Sequence, residues 1–420
     1  MDKILLEGGK RLKGEVEVSG SKNASLPIMV AGLLAKGSTK LYGVPNLMDT
    51  RTMARVIAAL GAQAGFDAKG VMTIDPKGFS GFEAPYDLVR TMRASIYVMG
   101  PLLARLGKAR VSLPGGCAIG ARPIDLHLRA FEALGAKVVL KHGYVEASAK
   151  RLKGARFVMD KPSVGATANL MMAASLAQGT TIINNAAQEP EMVDLAGFIN
   201  RMGGKVSGAG SDCIEIKGVA GLTACEYAVI PDRIEAGTLM VAAAITGGSV
   251  LVRRARLDHM GSFLDKLRAH GVQVSEEDGA ARVLAAPKPR AVNICTMPHP
   301  GFPTDMQAQW MALMAVAPGA SVLTETIWEN RFLHVPELQR LGADIAVQGN
   351  SAVVKGVRKL SGAAVMASDL RASAALVLAG LAAKGRTEIN RIYHLDRGYE
   401  RMEEKLTALG ARIRRVKEGA

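Results

Sequence analysis

Apolar and polar positions along the chain repeat with a period of about 70 residues. A phrase typical of a helix end, such as residues 59–62 (ALGA), recurs along the whole sequence. Its glycines, which lie 68 to 74 residues apart, are Gly61, Gly135, Gly203, Gly271, Gly342 and Gly410. Glycine is favoured just past a helix C-terminus, where the backbone needs a positive φ. Most copies continue into an alternating or apolar run, such as residues 137–140 (KVVL), which predicts a strand after the helix.

A second set of glycines, 66 to 72 residues apart, marks another helix end in every repeat: Gly37, Gly107, Gly179, Gly248, Gly319 and Gly385. The preceding residues are small and apolar, as in residues 171–177 (MMAASLA), and a helix that is apolar on all sides is a buried one. The helix before the first marker is more charged, as in residues 400–405 (ERMEEK), so we expect it at the surface. Two independent markers with one period indicate six repeats.

These repeats predict an α/β fold in which sheets surround buried helices. A chain of 420 residues is too long for one ordinary core and suggests at least two domains. Three repeats, each contributing one buried helix, would enclose one core. Six repeats therefore predict two domains of three repeats each.

Composition indicates a soluble globular protein, with 49% hydrophobic and 22% charged residues. The first residues, 1–7 (MDKILLE), lack the long apolar core of a signal peptide. No stretch reaches the roughly 18 uncharged apolar residues that span a bilayer. We therefore expect a cytoplasmic protein without membrane insertion.

The net charge of +15 requires an anionic partner. An RNA-binding protein would use this charge directly and is one alternative. However, aromatic residues make up only 4% of the chain, which leaves little material for stacking on bases. No helix-turn-helix, RRM or zinc-finger signature is present. The dispersed basic residues favour small anionic substrates over nucleic acid.

The four cysteines form no CxxC pair and fit no zinc pattern, so no metal is expected. Cys213, Cys225 and Cys295 lie in apolar or strand-like surroundings, which favours buried free thiols. Cys117 differs because residues 113–123 (LPGGCAIGARP) contain three glycines and two prolines, which predict an irregular loop. An accessible, reactive thiol near Arg122 is one interpretation, and a small loop residue without a role is the other.

The predicted start of each buried helix lies 14 or 15 residues before its second-set glycine: Lys22, Arg93, Gly165, Arg233, Asp305 and Arg371. Four of these six are basic, and helix N-termini attract anions through free N–H groups and a partial positive charge. The pattern favours binding of phosphate or carboxylate groups. Helix caps or salt bridges between repeats are the alternative.

Asp305 breaks this pattern, since a carboxylate would weaken anion binding unless it has another role. It follows a rigid turn, residues 300–304 (PGFPT), in which Thr304 is a candidate N-cap. N-capping and a catalytic role for Asp305 both stay open at this point.

Eight phrases resemble the enolpyruvyl transferase family, and within it the UDP-N-acetylglucosamine 1-carboxyvinyltransferases. They are residues 21–23 (SKN), 92–95 (MRAS), 114–117 (PGGC), 125–127 (DLH), 303–307 (PTDMQ), 329–332 (ENRF), 369–372 (DLRA) and 394–399 (HLDRGY). The resemblance covers essentially the full chain. It implies an inside-out α/β barrel whose first three-repeat domain is 22–229 and whose second is 1–21 with 230–420.

The resemblance also implies a reaction. The carboxyvinyl group of phosphoenolpyruvate would move to the 3'-hydroxyl of UDP-N-acetylglucosamine by addition and elimination, without a cofactor or metal. This is the first committed step of peptidoglycan synthesis, which links the chain to cell-wall biogenesis, cell shape and cell division. Closure of the two domains, with the Cys117 loop as a lid, would exclude water from the reaction.

Site residues are carried over from the resemblance position by position. Lys22, Arg122 and Arg397 would hold the phosphate of phosphoenolpyruvate, and Arg331 and Arg371 would face its carboxylate. Contacts to the sugar nucleotide would come from Asn23, Arg93, Arg122, Pro123, Ile124, Asp125, Leu126, Lys161, Ser163, Val164, Gly165, Asp305 and Ile327. Cys117 would be the proton donor and Asp305 the base. Because some relatives with Asp at the Cys117 position resist fosfomycin, the cysteine predicts sensitivity to this covalent inhibitor.

Two further alternatives remain from the sequence. The shikimate-pathway enolpyruvyl transferase shares the repeat and the anion-binding cleft but lacks a reactive-cysteine loop of this kind. An inactive relative of the transferases is the other alternative, although no expected residue is missing.

Overall fold

Each of the two units of the chain encloses its own apolar core in the computed structural model, which describes residues 2–113 and 124–417. The N-terminal unit consists of residues 20–113 and 124–230. The C-terminal unit consists of residues 2–19 and 231–417. The chain therefore passes from one unit to the other after residue 19 and after residue 230.

The helices of the described residues are α1 (Lys22–Ala31), α2 (Met48–Ala59), α3 (Tyr86–Val89), α4 (Met99–Leu106), α5 (Asp125–Ala133), α6 (Val164–Ala174), α7 (Pro190–Arg201), α8 (Arg233–Ile245), α9 (Gly261–His270), α10 (Gln307–Met314), α11 (Val335–Arg340), α12 (Leu370–Ala382) and α13 (Met402–Ala408). Short 3₁₀ turns cover Gly32–Leu34, Arg93–Val98, Leu257–His259, Thr304–Met306 and Ile392–Arg397.

The strands up to residue 148 are β1 (Asp2–Glu7), β2 (Lys13–Glu17), β3 (Ala35–Lys36), β4 (Thr39–Tyr42), β5 (Gln63–Phe66), β6 (Met72–Asp75), β7 (Glu83–Ala84), β8 (Lys108–Ser112), β9 (Lys137–Lys141) and β10 (Tyr144–Ser148). Those that follow are β11 (Arg156–Val158), β12 (Thr180–Asn184), β13 (Val206–Ser207), β14 (Cys213–Lys217), β15 (Leu222–Thr223), β16 (Glu226–Ala228), β17 (Ser249–Arg253), β18 (Gln273–Glu277), β19 (Ala280–Leu284), β20 (Ile294–Cys295), β21 (Ala320–Thr324), β22 (Asp344–Gln348), β23 (Ser351–Lys355), β24 (Ala364–Met366), β25 (Arg386–Asn390) and β26 (Arg412–Lys417).

Six four-stranded sheets with one common strand order account for most of these strands. In the second repeat the order is β7-β8-β10-β9, in which β7 runs parallel to β8 and the other pairs are antiparallel. The orders β11-β12-β14-β13 and β20-β21-β23-β22 repeat the same arrangement in the third and fifth repeats. Each sequence repeat thus corresponds to one sheet with its own buried and outer helix.

Strands from distant parts of the chain complete the remaining three sheets. In the N-terminal unit, β16 joins the edge of β4 in the order β16-β4-β6-β5. In the C-terminal unit, β2 pairs in parallel with β17, and β1 lies between β25 and β26. These strands supply the backbone partners that the sheet edges would otherwise lack.

The three buried helices of each unit pack against one another and against their own sheets. In the C-terminal unit α8, α10 and α12 are in mutual contact, and in the N-terminal unit α6 contacts both α1 and α4. Residues Arg371 through Leu381 of α12 are all buried, as the run of small apolar residues predicts. The predicted fold of helices surrounded by sheets is confirmed.

The first-set glycines all take the left-handed conformation, with φ between +89° and +106°, which confirms their predicted place at helix ends. In the second set only Gly107 caps a helix; Gly37 follows β3, and Gly179, Gly319 and Gly385 directly precede β12, β21 and β25, so the predicted helix-end position is wrong for these four. All members of the second set except Gly248 take a positive φ. There Gly247 takes the positive φ instead, and Gly248 is required by close packing. A Cβ on Gly248 would lie 2.3 Å from the main-chain oxygen of Leu12, the residue just before β2.

The prediction of three buried thiols is wrong for two of them and only partly right for the third. Cys213 and Cys295 are exposed, and Cys225 is half-buried. Cys213 begins β14, whose side chains alternate between the solvent and the core, and its own side chain falls on the solvent side. Apolar neighbours in sequence did not reveal the face on which each cysteine lies.

No helix in residues 2–113 and 124–417 combines the length and the apolar character needed to cross a membrane.

We expect the N-terminal strand to contribute directly to the stability of the C-terminal unit. Leu6 of β1 is 1% exposed and packs in that unit's core. Leu6→Ala should lower the free energy of unfolding by about 2–5 kcal/mol, because it leaves a cavity as well as removing apolar contact. Urea unfolding would measure this change. Glu7→Ala, which loses only an exposed ion pair with Arg412, is the control, and equal stability of both variants would contradict the assignment.

Candidate active site

The six positions singled out at the starts of the buried helices all lie at helix N-termini. Lys22 and Arg233 begin α1 and α8, Gly165 and Arg371 are the second residues of α6 and α12, and Arg93 and Asp305 lie in the 3₁₀ turns that lead into α4 and α10. The first N–H groups of such helices have no partner within the helix and favour a negative charge. Each unit therefore contains three such helix starts.

In the C-terminal unit, Asp305 is held between two arginines. The Arg331 guanidinium donates to Oδ1 of Asp305 at 2.9 Å, and the Arg371 guanidinium donates to Oδ2 at 2.7 Å. Both arginines are 4% exposed, whereas the Asp305 side chain is 28% exposed. The carboxylate is thus fixed from the buried side and still reaches the surface of the unit.

Arg371 is fixed by its backbone as well as by its side chain. Asp369 caps α12, since its Oδ1 accepts from the main-chain N–H groups of Arg371 at 2.9 Å and Ala372 at 3.1 Å. Burial by itself lowers the pKa of the Arg371 guanidinium, but the charge of Asp305 outweighs this and raises the pKa above its ordinary value. Arg371 is therefore a permanent cation.

A network of buried polar side chains inside the C-terminal unit contacts the turn Thr304–Met306, which contains Asp305. Nε2 of Gln309 donates to the main-chain oxygen of Asp305 at 2.9 Å and to the Tyr399 hydroxyl at 3.1 Å. The same hydroxyl lies 2.9 Å from Oγ1 of Thr238, and the Arg371 guanidinium lies 5.5 Å from the centre of the Tyr399 ring. Burial raises the pKa of Tyr399, so its hydroxyl stays protonated.

The other predicted residues of this unit lie on loops. Ile327 is half-buried in the loop after β21, four residues before Arg331. Arg397 is half-buried and ends the 3₁₀ turn Ile392–Arg397, two residues before Tyr399. The structure thus joins Asp305, Arg331 and Arg371 by direct contact.

In the N-terminal unit, Lys22 pairs with a carboxylate that the sequence did not single out. Nζ of Lys22 lies 3.2 Å from Oδ2 of Asp49, and the two side chains are 11% and 5% exposed. Ser21 caps α1 by accepting from the main-chain N–H of Ala24 at 3.3 Å. Asn23, the next residue of α1, is half-buried. The ammonium group is therefore oriented by Asp49 at the start of the helix.

A neutral histidine lies against the start of α6. Nδ2 of Asn169 donates to Nδ1 of His127 at 2.9 Å, and the Asn169 orientation is fixed because its Oδ1 accepts from the main-chain N–H of Gly100 at 3.0 Å. The proton of the neutral ring is therefore on Nε2. Burial, assisted by the positive charge of Arg93, lowers the pKa of His127 to about 3.

Gly165 allows this close approach, because a Cβ at that position would lie 2.8 Å from Nε2 of His127. The neighbouring Ser163 caps α6 by accepting from the main-chain N–H of Ala166 at 3.3 Å, and Val164 begins the helix. Lys161 is exposed just before this cap. Residues 161–165 therefore form the turn that leads into a buried helix.

Ile124, Asp125 and Leu126 form the start of α5. Ile124 and Leu126 are buried, whereas Asp125 is exposed in the first turn, where a negative charge complements the helix dipole. Cys117, Arg122 and Pro123 of the predicted site lie outside the described residues.

Thr304 is not an N-cap. Pro303 occupies the N-cap position of the turn Thr304–Met306, and the Thr304 hydroxyl donates to Glu325 instead. The carboxylate of Asp305 is likewise held by arginines. Of the two interpretations of Asp305, N-capping is therefore wrong.

Sequence reasoning did not identify the partners of these residues. Asp49 lies in the outer helix α2, Asn169 lies inside the apolar helix α6, and Glu325 follows an ordinary strand. A polar residue within an otherwise apolar helix was the available signal for Asn169 and Gln309, because a buried polar group requires a hydrogen-bond partner. Among residues 2–113 and 124–417, no three His, Cys, Asp or Glu side chains are grouped as a metal site would require.

Comparison of the sequence with known proteins identifies a family model and relatives that match almost the whole chain. The family model described as EPSP synthase (3-phosphoshikimate 1-carboxyvinyltransferase) matches residues 6–406. A UDP-N-acetylglucosamine 1-carboxyvinyltransferase of Trichlorobacter lovleyi is 60% identical over 419 residues, which cover 100% of both chains.

Solved structures show the same fold. The enolpyruvyl transferase NikO from Streptomyces tendae matches with a TM-score of 0.88 at 28% identity, over 99% of both chains. EPSP synthase from Acinetobacter baumannii matches with a TM-score of 0.75 at 19% identity, over 99% of this chain and 100% of that one. At 19% identity the likeness concerns the fold alone.

We expect His127 to stay neutral between pH 5 and 8, because its pKa is about 3. In the unfolded chain a histidine has a pKa of about 6.5, so below that pH the unfolded state binds a proton that the folded state does not. The free energy of unfolding should therefore fall as the pH is lowered from 7 to 4, and fall less steeply in His127→Gln. Urea unfolding at several pH values would measure the slopes.

The exposed His142 offers the matched control, because His142→Gln removes a histidine that is not buried, and an equal change of slope in both variants would contradict the role of burial. The resonance of the His127 ring proton can be identified because it is missing from the NMR spectrum of His127→Gln. If that resonance titrated at about pH 6.5 in the unaltered protein, His127 would not be a buried neutral group.

Proposed function

The chain belongs to the enolpyruvyl transferase family, and on this premise we propose that it transfers the carboxyvinyl group of phosphoenolpyruvate to the 3'-hydroxyl of UDP-N-acetylglucosamine, with release of phosphate. The observation that carries the proposal is the 60% identity, over the full length of both chains, to a relative named for this reaction. The activity supplies the first committed step of peptidoglycan synthesis, and through it serves cell shape and division.

The shikimate-pathway activity is not favoured, although the matching family model bears its name. The EPSP synthase of Acinetobacter baumannii shares only 19% of residues with this chain. Substrate choice depends on particular side chains within a shared fold, so overall architecture does not support one substrate over another.

The chemistry requires an acid and a base. The central carbon of an enol phosphate becomes a good electrophile only when the methylene carbon is protonated, which creates oxocarbenium-like charge for the sugar hydroxyl to attack. We assign the acid to Cys117 and the base to Asp305. Loss of phosphate and of one proton from the methyl group of the tetrahedral intermediate then restores the C=CH2 double bond and gives the enol ether product.

The contacts of Asp305 support its role as a base. Both of its oxygens accept N–H bonds from buried guanidinium groups, Oδ1 from Arg331 at 2.9 Å and Oδ2 from Arg371 at 2.7 Å. A carboxylate oxygen has a second lone pair, so the group can still accept a proton from a substrate hydroxyl. Two fixed cations hold the carboxylate in one orientation before the substrate arrives, and such preorganisation lowers the barrier.

The same arginines suit a carboxylate ligand. A guanidinium carries five N–H donors in a rigid fork, more than one oxygen of Asp305 accepts. We assign Arg331 and Arg371 to the carboxylate of phosphoenolpyruvate and Lys22, Arg122 and Arg397 to its phosphate. Lys22 begins α1, where the helix N-terminus adds to its charge.

We assign the sugar nucleotide to the helix starts of the N-terminal unit and to two residues of the C-terminal unit. These residues are Asn23, Arg93, Arg122, Pro123, Ile124, Asp125, Leu126, Lys161, Ser163, Val164, Gly165, Asp305 and Ile327. The exposed Lys161 is available to a diphosphate, and the capped turn of residues 163–165 presents main-chain N–H groups to it.

We place the reaction in the cytoplasm, since the described cysteines, Cys213, Cys225 and Cys295, are free thiols, as is usual in reducing compartments. A cysteine at position 117 also makes fosfomycin a covalent inhibitor in this proposal, because a thiolate can attack its epoxide.

Purified protein should release phosphate from phosphoenolpyruvate only when UDP-N-acetylglucosamine is present. With shikimate 3-phosphate in its place, the rate should be at least about a hundredfold lower, because buried polar groups would be left without partners. A colorimetric phosphate assay with both acceptors would measure this. Phosphate release from phosphoenolpyruvate with shikimate 3-phosphate but not with UDP-N-acetylglucosamine would favour the shikimate-pathway activity. Steeply salt-dependent binding of RNA, without phosphate release, would favour a nucleic-acid role.

Cys117→Asp should retain turnover and lose inactivation by fosfomycin, since a carboxylic acid can donate a proton but is a poor nucleophile toward an epoxide. Cys117→Ala should lose most turnover, at least about a hundredfold, because no acid remains. Phosphate release before and after incubation with fosfomycin would measure both effects. Full activity in Cys117→Ala would remove the thiol from the mechanism.

A further inference from the structure

A buried carboxylate that takes no part in the proposed mechanism lies behind Asp305. Glu325 follows β21 directly and is 2% exposed. Its Oε1 accepts from Oγ1 of Thr296 at 2.8 Å and from the main-chain N–H groups of Ile327 at 2.8 Å and Trp328 at 3.2 Å. Its Oε2 accepts from Oγ1 of Thr304 at 2.9 Å. Four donors therefore satisfy one buried charge.

These bonds connect two segments that carry proposed site residues. Thr304 directly precedes Asp305, and Ile327 begins the loop that leads to Arg331. The Arg331 guanidinium returns to the first segment, where it donates to Oδ1 of Asp305 at 2.9 Å and to the main-chain oxygen of Thr304 at 3.3 Å. Glu325 and Arg331 thus hold the same turn from the two ends of one short loop.

The groups around Glu325 explain why a carboxylate, rather than an amide, occupies this position. Main-chain N–H groups can only donate, so Oε1 must be an acceptor. A threonine hydroxyl can donate or accept, so the direction of the hydrogen bond between Thr304 and Glu325 depends on whether the Glu325 oxygen is a donor or an acceptor. A carboxylate makes both oxygens acceptors and fixes the Thr304 hydroxyl as a donor. Removing Glu325 would take this acceptor from one buried donor, Thr296, and from three part-buried donors, which is costly.

We propose that Glu325 is a positioning residue for the transfer reaction, which sets the Thr304–Asp305 turn against the Ile327–Arg331 loop through its bond to Thr304. The inference rests on the proposed function, since it concerns how Asp305 and Ile327 meet the sugar nucleotide. Glu325 itself does not touch the reacting atoms. A misplacement of about 1 Å in Asp305 can cost on the order of a hundredfold in rate, because it misaligns a base with its hydroxyl.

A matched pair of variants at Thr304 tests the bond without removing the charge. Thr304→Val keeps the shape and loses the hydroxyl, whereas Thr304→Ser keeps the hydroxyl. We expect kcat/KM for UDP-N-acetylglucosamine to fall about ten- to a hundredfold in Thr304→Val, the range expected for a lost hydrogen bond to a charged group. Thr304→Ser should stay within about threefold of the unaltered chain.

Glu325→Gln changes the other end of the same bond. If the two residues act through one interaction, the double variant Thr304→Val with Glu325→Gln should be no worse than the poorer single variant. Isothermal calorimetry with UDP-N-acetylglucosamine alone would report binding separately from turnover. We expect its Kd to rise in Thr304→Val in parallel with KM.

Ser321→Ala is the control for a purely structural effect. Ser321 is fully buried in β21, the strand that leads to Glu325, and its loss should change neither kcat nor KM. Unchanged kinetic constants and Kd in Thr304→Val and Glu325→Gln, with reduced melting temperatures alone, would overturn the role of Glu325. Independent, additive losses in the double variant would overturn it as well. Absence of turnover in the unaltered chain would contradict the proposed function, and this inference with it.

Discussion

Two arginines buried beside Asp305 impose the constraint on which the candidate site depends. A guanidinium that is 4% exposed is stable only with an anionic partner, because removal of a charge from water is costly. Asp305 supplies that partner to Arg331 and Arg371 at once. The reverse also holds, since two rigid cations leave the carboxylate one orientation. The site is therefore organised before any substrate binds, and little reorganisation is required during the reaction.

The repeated fold explains why these groups meet. Asp305 and Arg371 occupy equivalent positions in neighbouring repeats, at the starts of buried helices that lead into the same core. The helices α10 and α12 pack against each other, and the Arg371 guanidinium at the start of α12 reaches Asp305 in the turn before α10 at 2.7 Å. Arg331 then comes from an outer loop that Glu325 fixes to the Asp305 turn. One architectural unit, used three times in each half of the chain, gives each half three helix N-termini, and such N-termini favour a negative charge.

Buried polar pairs adapt this common scaffold to particular roles. In the N-terminal unit, Asp49 orients Lys22, and Asn169 fixes the tautomer of His127. In the C-terminal unit, Gln309 joins the Asp305 turn to Tyr399. Each pair is a specific choice within an apolar core, since a buried polar group without a partner would destabilise the fold. The enolpyruvyl transferases that share this architecture differ in sequence at most positions, so substrate choice must arise from side chains of this kind.

The sequence by itself determined the local elements, the repeat and the resemblance to a family. Helix ends, buried helices and outer helices follow from residues within one or two turns of each other, and glycine at a positive φ carries its own conformational reason. Four of the six helix starts were therefore placed to within one residue from spacing alone, and the other two positions, Arg93 and Asp305, lie in the 3₁₀ turns that precede α4 and α10. The tertiary structure decided the rest. Asp305 meets partners 26 and 66 residues away, Glu325 meets Thr304 across 21 residues, and β1 completes a sheet with strands from the other end of the chain. Such pairings depend on how the sheets close around the helices, and they cannot be predicted from the residues that neighbour each partner in the sequence.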